Sequence, residues 1–263
     1  MIQLSLTPSY FQIGPLNIYW YGLCLALSLA VYSWYLKKRI QGFGFKATLT
    51  EEILLVAFIS ALIGARLYHI LSQLPYYLLH PQAIFFVWQG GLGIFGAIVG
   101  AAAGIILYCR SQEIKPLKLL NFMAPPLLLA QAIGRWGNFF NREGFGPPTN
   151  LPWKVFIPLK NRPPQFINES FFHPTFFYES FLCLAAFGLY LWLEKKLKSQ
   201  SFGLAYFLIA YGTIRFITEF FRLDTWKIAS LKIGYPLSLI MIAFGCGLII
   251  TNKINLDSED NKA

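Results

Sequence analysis

Two long stretches of this chain contain no lysine, arginine, aspartate or glutamate: Met1–Leu36 and Leu67–Cys109. Uncharged runs of that length, apolar on every side rather than on one face, suit helices that face lipid. A helix that crosses a bilayer needs about 20 apolar residues, within a range of about 17–25. The 263-residue chain is 56% hydrophobic and 13% charged, with a mean hydropathy of +0.51, where soluble domains are about 25% charged. Seven segments qualify or nearly qualify as spans: Ile18–Leu36, Ile53–Leu74, Leu92–Cys109, Leu119–Gly134, Phe176–Leu193, Phe202–Phe221 and Ile233–Thr251. The prediction is an all-α integral membrane protein of about seven transmembrane helices, one polytopic domain over 1–263.

The net charge is +10. Its cations gather in short loops between apolar runs, so the charge reads as membrane topology and not as a nucleic-acid surface. With the N-terminus outside, the inner loops hold Lys37, Lys38, Arg39, Lys46, Arg110, Lys115, Lys118, Lys195, Lys196, Lys198, Lys253 and Lys262. The outer loops hold Arg135, Arg142, Lys154, Lys160, Arg162, Arg222, Lys227 and Lys232. That bias predicts an outside N-terminus and a cytoplasmic C-terminus. The loop over 135–174, rich in Pro, Asn and Arg, reads as a small extracytoplasmic cap, and 255–263 as a frayed polar tail. The start lacks the basic region and cleavage site of a signal peptide. Cys24, Cys109, Cys183 and Cys246 follow no metal or disulfide spacing and read as packing residues.

Charges inside a membrane cost about 2.5–3.5 kcal/mol each on insertion scales, so each is a candidate for function. Arg66 lies 14 residues beyond Glu52, about 21 Å up an inside-to-outside helix. Arg215, Glu219 and Arg222 share one helical face by spacing. Glu179 and Arg135 stand at the outer ends of their segments, so every charge at membrane depth falls at the outer-leaflet level. Converging guanidinium groups there suit a phosphate, and a phospholipid headgroup is the nearest source of one. Following the Pro125-Pro126 break, Gly134-Arg135-Trp136-Gly137-Asn138-Phe139-Phe140-Asn141-Arg142-Glu143 adds amide donors and acceptors at Asn138 and Asn141 and a proton-transfer group at Glu143, with Gly146 three residues on.

That segment resembles the signature of the prolipoprotein diacylglyceryl transferase family, Gly-Arg-x-Gly-Asn-Phe-x-Asn-x-Glu with a further Gly. Trp20-Tyr21-Gly22, Gly64-Ala65-Arg66, Trp88 to Gly100, His173-Pro174-Thr175-Phe176-Phe177-Tyr178-Glu179 and Tyr211 to Phe220 resemble other elements of the family, in order. The resemblance implies transfer of an sn-1,2-diacylglyceryl group from phosphatidylglycerol to the lipobox cysteine of a prolipoprotein signal peptide. The setting would be the plasma membrane of a bacterium, with the site facing the outer leaflet and no cofactor or metal. It implies that Arg135 and Arg215 bind the phosphate and stabilise its departure. Asn138 and Asn141 would position the headgroup glycerol, and Tyr21, Arg66 and Gly146 would line the site. Glu143 and Glu219 would orient the arginines, or one of them would take the thiol proton. His173 is a further site candidate beside Glu179.

One departure stands out. The family often has a His in a Gly-Gly-x-x-x-His-Gly pattern, and Gly90-Gly91-Leu92-Gly93-Ile94-Phe95-Gly96 places Phe95 there, which leaves the base open. The same run fits a dinucleotide-type GxGxxG, but it enters an apolar helix and lacks the βαβ context. Gly96, Gly100 and Gly104 instead repeat every four residues, the spacing of close helix packing. The alternative reading is a transporter or channel for an anionic solute. A retinal receptor is disfavoured because no lysine lies within Ile233–Thr251, and a membrane aspartyl protease because Asp224, Asp257 and Asp260 lie outside the spans.

Overall fold

The computed structural model describes residues 10–14, 16–197, 199, 201–223, 225, 227–228 and 231–260, with the backbone alone at 16, 89, 227–228 and 252–260. Residues 1–9 of the start read against a signal peptide, and Lys198, Asp224 and Lys262, lie outside the described residues. In chain order the elements are β1 (Tyr10–Ile13), β2 (Leu16–Tyr19), α1 (Trp20–Arg39), α2 (Leu49–Ser72), α3 (Leu74–Leu79), α4 (Ile94–Ser111), α5 (Pro116–Met123), α6 (Pro126–Asn141), β3 (Val155–Phe156), β4 (Phe171–Phe172), α7 (Thr175–Leu197), α8 (Gly203–Phe221), β5 (Lys227–Ile228), β6 (Leu231–Lys232) and α9 (Gly234–Asp260). Each successive strand pair forms its own two-stranded antiparallel ribbon.

Among the described residues, α2, α4, α7, α8 and α9 are long and apolar enough to cross a membrane, and α5 with α6 makes a sixth span if the pair, bent by 44°, is counted as one. The fold is therefore an all-α membrane protein. Helix α1 has 20 residues, but Trp20, Tyr21, Tyr32, Trp34 and Tyr35 make it less apolar than those five.

The chain divides into two compact units, residues 36–119 and residues 1–35 with 120–263. In the first, α2 and α4 pack through small residues, as the four-residue glycine spacing predicts. A Cβ on Gly64 would lie 2.8 Å from the Gly100 Cα, and one on Gly100 would lie 2.9 Å from the Gly64 Cα. Ser60 backs Gly104 and returns its own hydroxyl to the Val56 carbonyl at 2.6 Å. At the other end of this pair, Tyr108 donates its hydroxyl to Glu52. Between α2 and α4 the chain makes the short α3 and two 3-10 turns, which the uniform apolarity of 67–109 did not announce.

In the second unit a core of Leu128, Ala132, Cys183, Phe187, Tyr190 and Ile214 joins α6, α7 and α8. Polar side chains tie these helices at chosen carbonyls. Ser28 donates to Ala130 O at 2.7 Å, Ser180 to Ala132 O at 2.6 Å, and Tyr32 to Met123 O at 2.9 Å. Asn121 accepts the Leu204 N–H at 2.8 Å and so caps the start of α8. The cap has its own small core of Phe145, Ile157 and Phe172, with Val155, Phe166 and Leu223 packed against it. Arg162 closes it by donating to Ile157 O, Ile167 O and Ser170 Oγ at 2.8–3.1 Å.

Two helix ends differ from the sequence expectation. The fourth predicted span ends at Gly134, whereas α6 continues to Asn141, so Arg135 lies inside the helix and does not terminate it. Gly137 is the surface on which the Tyr21 ring rests, with a hypothetical Cβ only 2.7 Å from its Cδ2. The helix stops instead at Arg142, whose φ of +58° is left-handed. The expected tail over 255–260 is helical in backbone, as the end of α9.

The packing gives a stability test. Gly100→Leu has no room except by parting α2 from α4, whereas Gly247→Leu meets open space. The first is expected to cost about 1–3 kcal/mol and to lower the thermal midpoint in detergent, and the second to leave it within about 0.5 kcal/mol of wild type.

Candidate functional site

The second unit gathers most of the charged residues singled out in the sequence. From the middle of α6, Arg135 sends Nη2 to Glu179 Oε1 on α7, and Nη1 donates to Asn138 Oδ1, one turn on, at 3.3 Å. Asn138 Nδ2 then donates to Glu143 Oε1 at 3.0 Å, and Asn141 Nδ2 reaches the same oxygen at 3.4 Å. The left-handed turn at Arg142 folds the chain back so that the Glu143 N–H bonds to Asn138 O at 3.0 Å. The motif thus forms one connected polar network, with Glu143 at its exposed end.

On α8, Arg215 Nη2 lies 2.7 Å from Glu219 Oε2. Glu219 is fully buried, and among the described residues neither of its oxygens has an aligned hydrogen bond, so the contact is an ion pair without good hydrogen-bond geometry. Gly234 lies against this carboxylate, where a Cβ would come 2.5 Å from Oε1. Lys232 donates to the carbonyls of Glu219 and Arg222 at 2.8 and 2.9 Å, closing the C-terminal end of α8. Arg222 Nη1 lies 4.0 Å from Glu179 Oε2, so one carboxylate stands between Arg135 and Arg222.

Glu179 is 1% exposed. The sequence reading gave it no task. Tyr211, one turn before Arg215, was named only as the start of the Tyr211 to Phe220 element, yet it lies within electrostatic reach of Glu179, Arg135 and Arg215. A search for what neutralises the buried arginines would have found Glu179. Taken together, Arg135, Arg215 and Arg222 against Glu179 and Glu219 leave a net charge of about +1 in a poorly hydrated setting. Removing an ion from water carries an effective penalty of several kcal/mol, so this cluster is a poor device for stability and a good one for holding an anion.

Gly146 lies where three segments meet. Its N–H donates to His173 O at 2.8 Å, and a Cβ there would sit 2.5 Å from Phe221 O and 2.7 Å from Thr175 Oγ1. His173 ends a short relay. The Trp153 indole, which can only donate, gives its N–H to the Tyr178 hydroxyl at 2.8 Å, and that hydroxyl shares a hydrogen bond of 3.1 Å with His173 Nδ1. Burial lowers the His173 pKa below its ordinary value.

Arg66 belongs to the other unit and meets different company. Nε donates to Ile84 O at 2.9 Å, Nη1 to Gly90 O and Gly91 O at 2.8 and 3.1 Å, and Nη2 to Ala83 O. Four of its five donors thus hold carbonyls of the 83–91 turn, and Tyr77 lies against its guanidinium. Beside it, His69 sits close to Gly91, whose φ is +72°. Phe95 packs near the Tyr68 ring at 6.1 Å.

Known proteins resemble this chain over nearly its whole length. A family model described as prolipoprotein diacylglyceryl transferase matches residues 8–251. Relatives named phosphatidylglycerol–prolipoprotein diacylglyceryl transferase include one from Nostoc sp., 39% identical over 248 residues, covering 90% of this chain and 86% of its own. One from Thermosynechococcus vestitus is 36% identical, covering 89% and 88%, and one from Fervidobacterium nodosum is 37% identical, covering 89% and 81%. The chain therefore belongs to the prolipoprotein diacylglyceryl transferase family, a family of transferases.

Proposed function

We propose that this protein moves an sn-1,2-diacylglyceryl group from phosphatidylglycerol to the lipobox cysteine of a prolipoprotein signal peptide, the first step of lipoprotein maturation. The observation that carries the reading is the buried cluster of Arg135, Arg215 and Arg222 with Glu179 and Glu219. Its net charge of about +1 complements the single negative charge of a phosphodiester. The relatives' names supply the two substrates.

The reaction demands little beyond what this chain provides. The cysteine S–H gives up its proton, sulfur forms a bond to the glyceryl carbon, and the carbon–oxygen bond to phosphate breaks. Glycerol phosphate leaves with that electron pair. Arg135 and Arg215 hold the phosphate oxygens and stabilise the charge that grows as the bond breaks. Asn138 and Asn141 orient the headgroup glycerol. Glu143, exposed at the end of their network, takes the thiol proton, while Glu219 stays with Arg215 and fixes its direction. Tyr21 and Gly146 shape the walls, and His173 presents its ring to the headgroup. Arg66, its donors held by carbonyls, keeps the 83–91 turn in place. In this reading α1 is a seventh span, the N-terminus lies outside and the C-terminus in the cytoplasm. The site then faces the outer leaflet of the inner membrane.

Purified protein in phosphatidylglycerol micelles with a lipobox peptide should add one diacylglyceryl unit to the peptide mass. Arg135→Ala should lower that rate by about 10²–10³-fold, the usual size of a lost transition-state donor, and full activity in this variant would remove the phosphate role. Arg135→Lys should recover little of the rate, because a point charge does not replace a bidentate fork. Glu143→Gln should slow transfer by about 10²-fold. Its rate should also rise more steeply with pH, because thiol ionisation would then depend on hydroxide. An unaltered pH profile would exclude Glu143 as the proton acceptor.

A further inference from the structure

Glu179 is a buried carboxylate to which the proposed reaction gives no chemical step. It binds Arg135, one of the two guanidinium groups that would hold the lipid phosphate, at one oxygen, and lies 4.0 Å at the other from Arg222, the third arginine of the same cluster. These arginines come from different elements, α6 and the residue just past α8, whereas the Arg215–Glu219 pair lies within one helix. The next residue, Ser180, is buried and donates to Ala132 O on α6 at 2.6 Å, one turn before Arg135. The helix that bears the carboxylate is therefore fastened to the helix of its partner arginine beside the pair. Both arginines keep some exposure, with 20% and 15% of the side chain accessible, while Glu179 keeps 1%.

We propose, resting on the transferase reading, that Glu179 is a positioning residue that acts as an internal anion. It holds Arg135 and Arg222 at a set separation and weakens their grip on phosphate, so that the leaving glycerol phosphate departs. A carboxylate and a phosphate compete for the same donors. A fixed negative charge at roughly 10 Å, at an effective dielectric constant of about 20, lowers the affinity for a monoanion by about tenfold. The pair is thus preorganised by Glu179 and kept from trapping the product by the same charge.

The test compares full-length wild type with Glu179→Gln, which keeps the side-chain volume and removes the charge. Equilibrium binding of radiolabelled inorganic phosphate is measured in neutral detergent, and kcat and KM for peptide lipidation in phosphatidylglycerol micelles. In Glu179→Gln the Kd for phosphate should fall about tenfold, KM for the lipid should fall with it, and kcat should drop as product release slows. Glu179→Asp should return the phosphate Kd toward wild type. A merely structural glutamate gives the opposite pattern, weaker phosphate binding and a higher KM, and that result, or an unchanged Kd, overturns the proposal. If Glu179→Gln does not fold, Arg222→Gln decides, because it leaves Glu179 charged against Arg135 alone and should raise the phosphate Kd at least tenfold. An unchanged Kd in that variant also overturns the proposal. Wild type that binds phosphate but transfers no lipid refutes the transferase reading instead, whatever the variants do.

Discussion

The Arg135–Glu179 ion pair joins α6 to α7 within a chain whose helices are apolar enough to sit in lipid, and much of the second unit serves to keep it there. Isolated charges at that depth are expensive, and even a matched pair recovers its desolvation penalty only when its geometry is held closely. The holding is visible on both sides of Arg135. Ser28 and Ser180 donate to the carbonyls of Ala130 and Ala132, and the Tyr21 ring fills the space over Gly137. The helix that bears the arginine is thereby fastened to α1 and α7 within about two turns. The bend at Pro125 sets the direction from which that helix enters.

Glycine does two kinds of work here. Gly64, Gly96 and Gly100 let two helix backbones touch, a use announced by spacing alone. Gly146 and Gly234 make room for polar atoms. Three backbone and side-chain groups converge on Gly146, and the Glu219 carboxylate lies on Gly234, in a space where any side chain would displace it. An ion pair packed against a hydrogen atom leaves no cavity for a competing water, which keeps the local dielectric low and the arginine field strong.

What the sequence revealed follows from the range of each interaction. Apolar length and the common level of the membrane-depth charges are properties of the chain itself, so the helical class and the cluster of Arg135, Arg215, Glu219 and Glu179 were legible before any coordinates. The end of α6 was not. Gly137 gives no sign in the sequence of the aromatic ring that rests on it. The partners of Arg66 were hidden for a similar reason. A guanidinium at lipid depth reads as a ligand for phosphate, yet it can equally be consumed by carbonyls that helix ends and 3-10 turns leave unpaired. Which of these occurs depends on the fold of residues 83–91, where uniform apolarity gives no period to read. Glu179 and Tyr211 went unassigned because a partner's role becomes visible only when the helices are assembled.

The missing histidine at Phe95 bears on how strong a base the proposed chemistry requires. A thiol with a pKa of about 8.5 falls to about 3.5–7.5 beside cations. Three arginines set against two buried carboxylates supply such a field. The proton then needs only an acceptor at the water-facing edge, and Glu143 is exposed there with its Oε1 directed by two asparagines. Phe95 beside Tyr68 carries no proton and contributes packing alone. The arginine cluster therefore serves twice in this scheme, ionising the nucleophile and stabilising the leaving group. In this scheme a buried glutamate between two arginines offsets part of their charge, which is why it belongs in the same site.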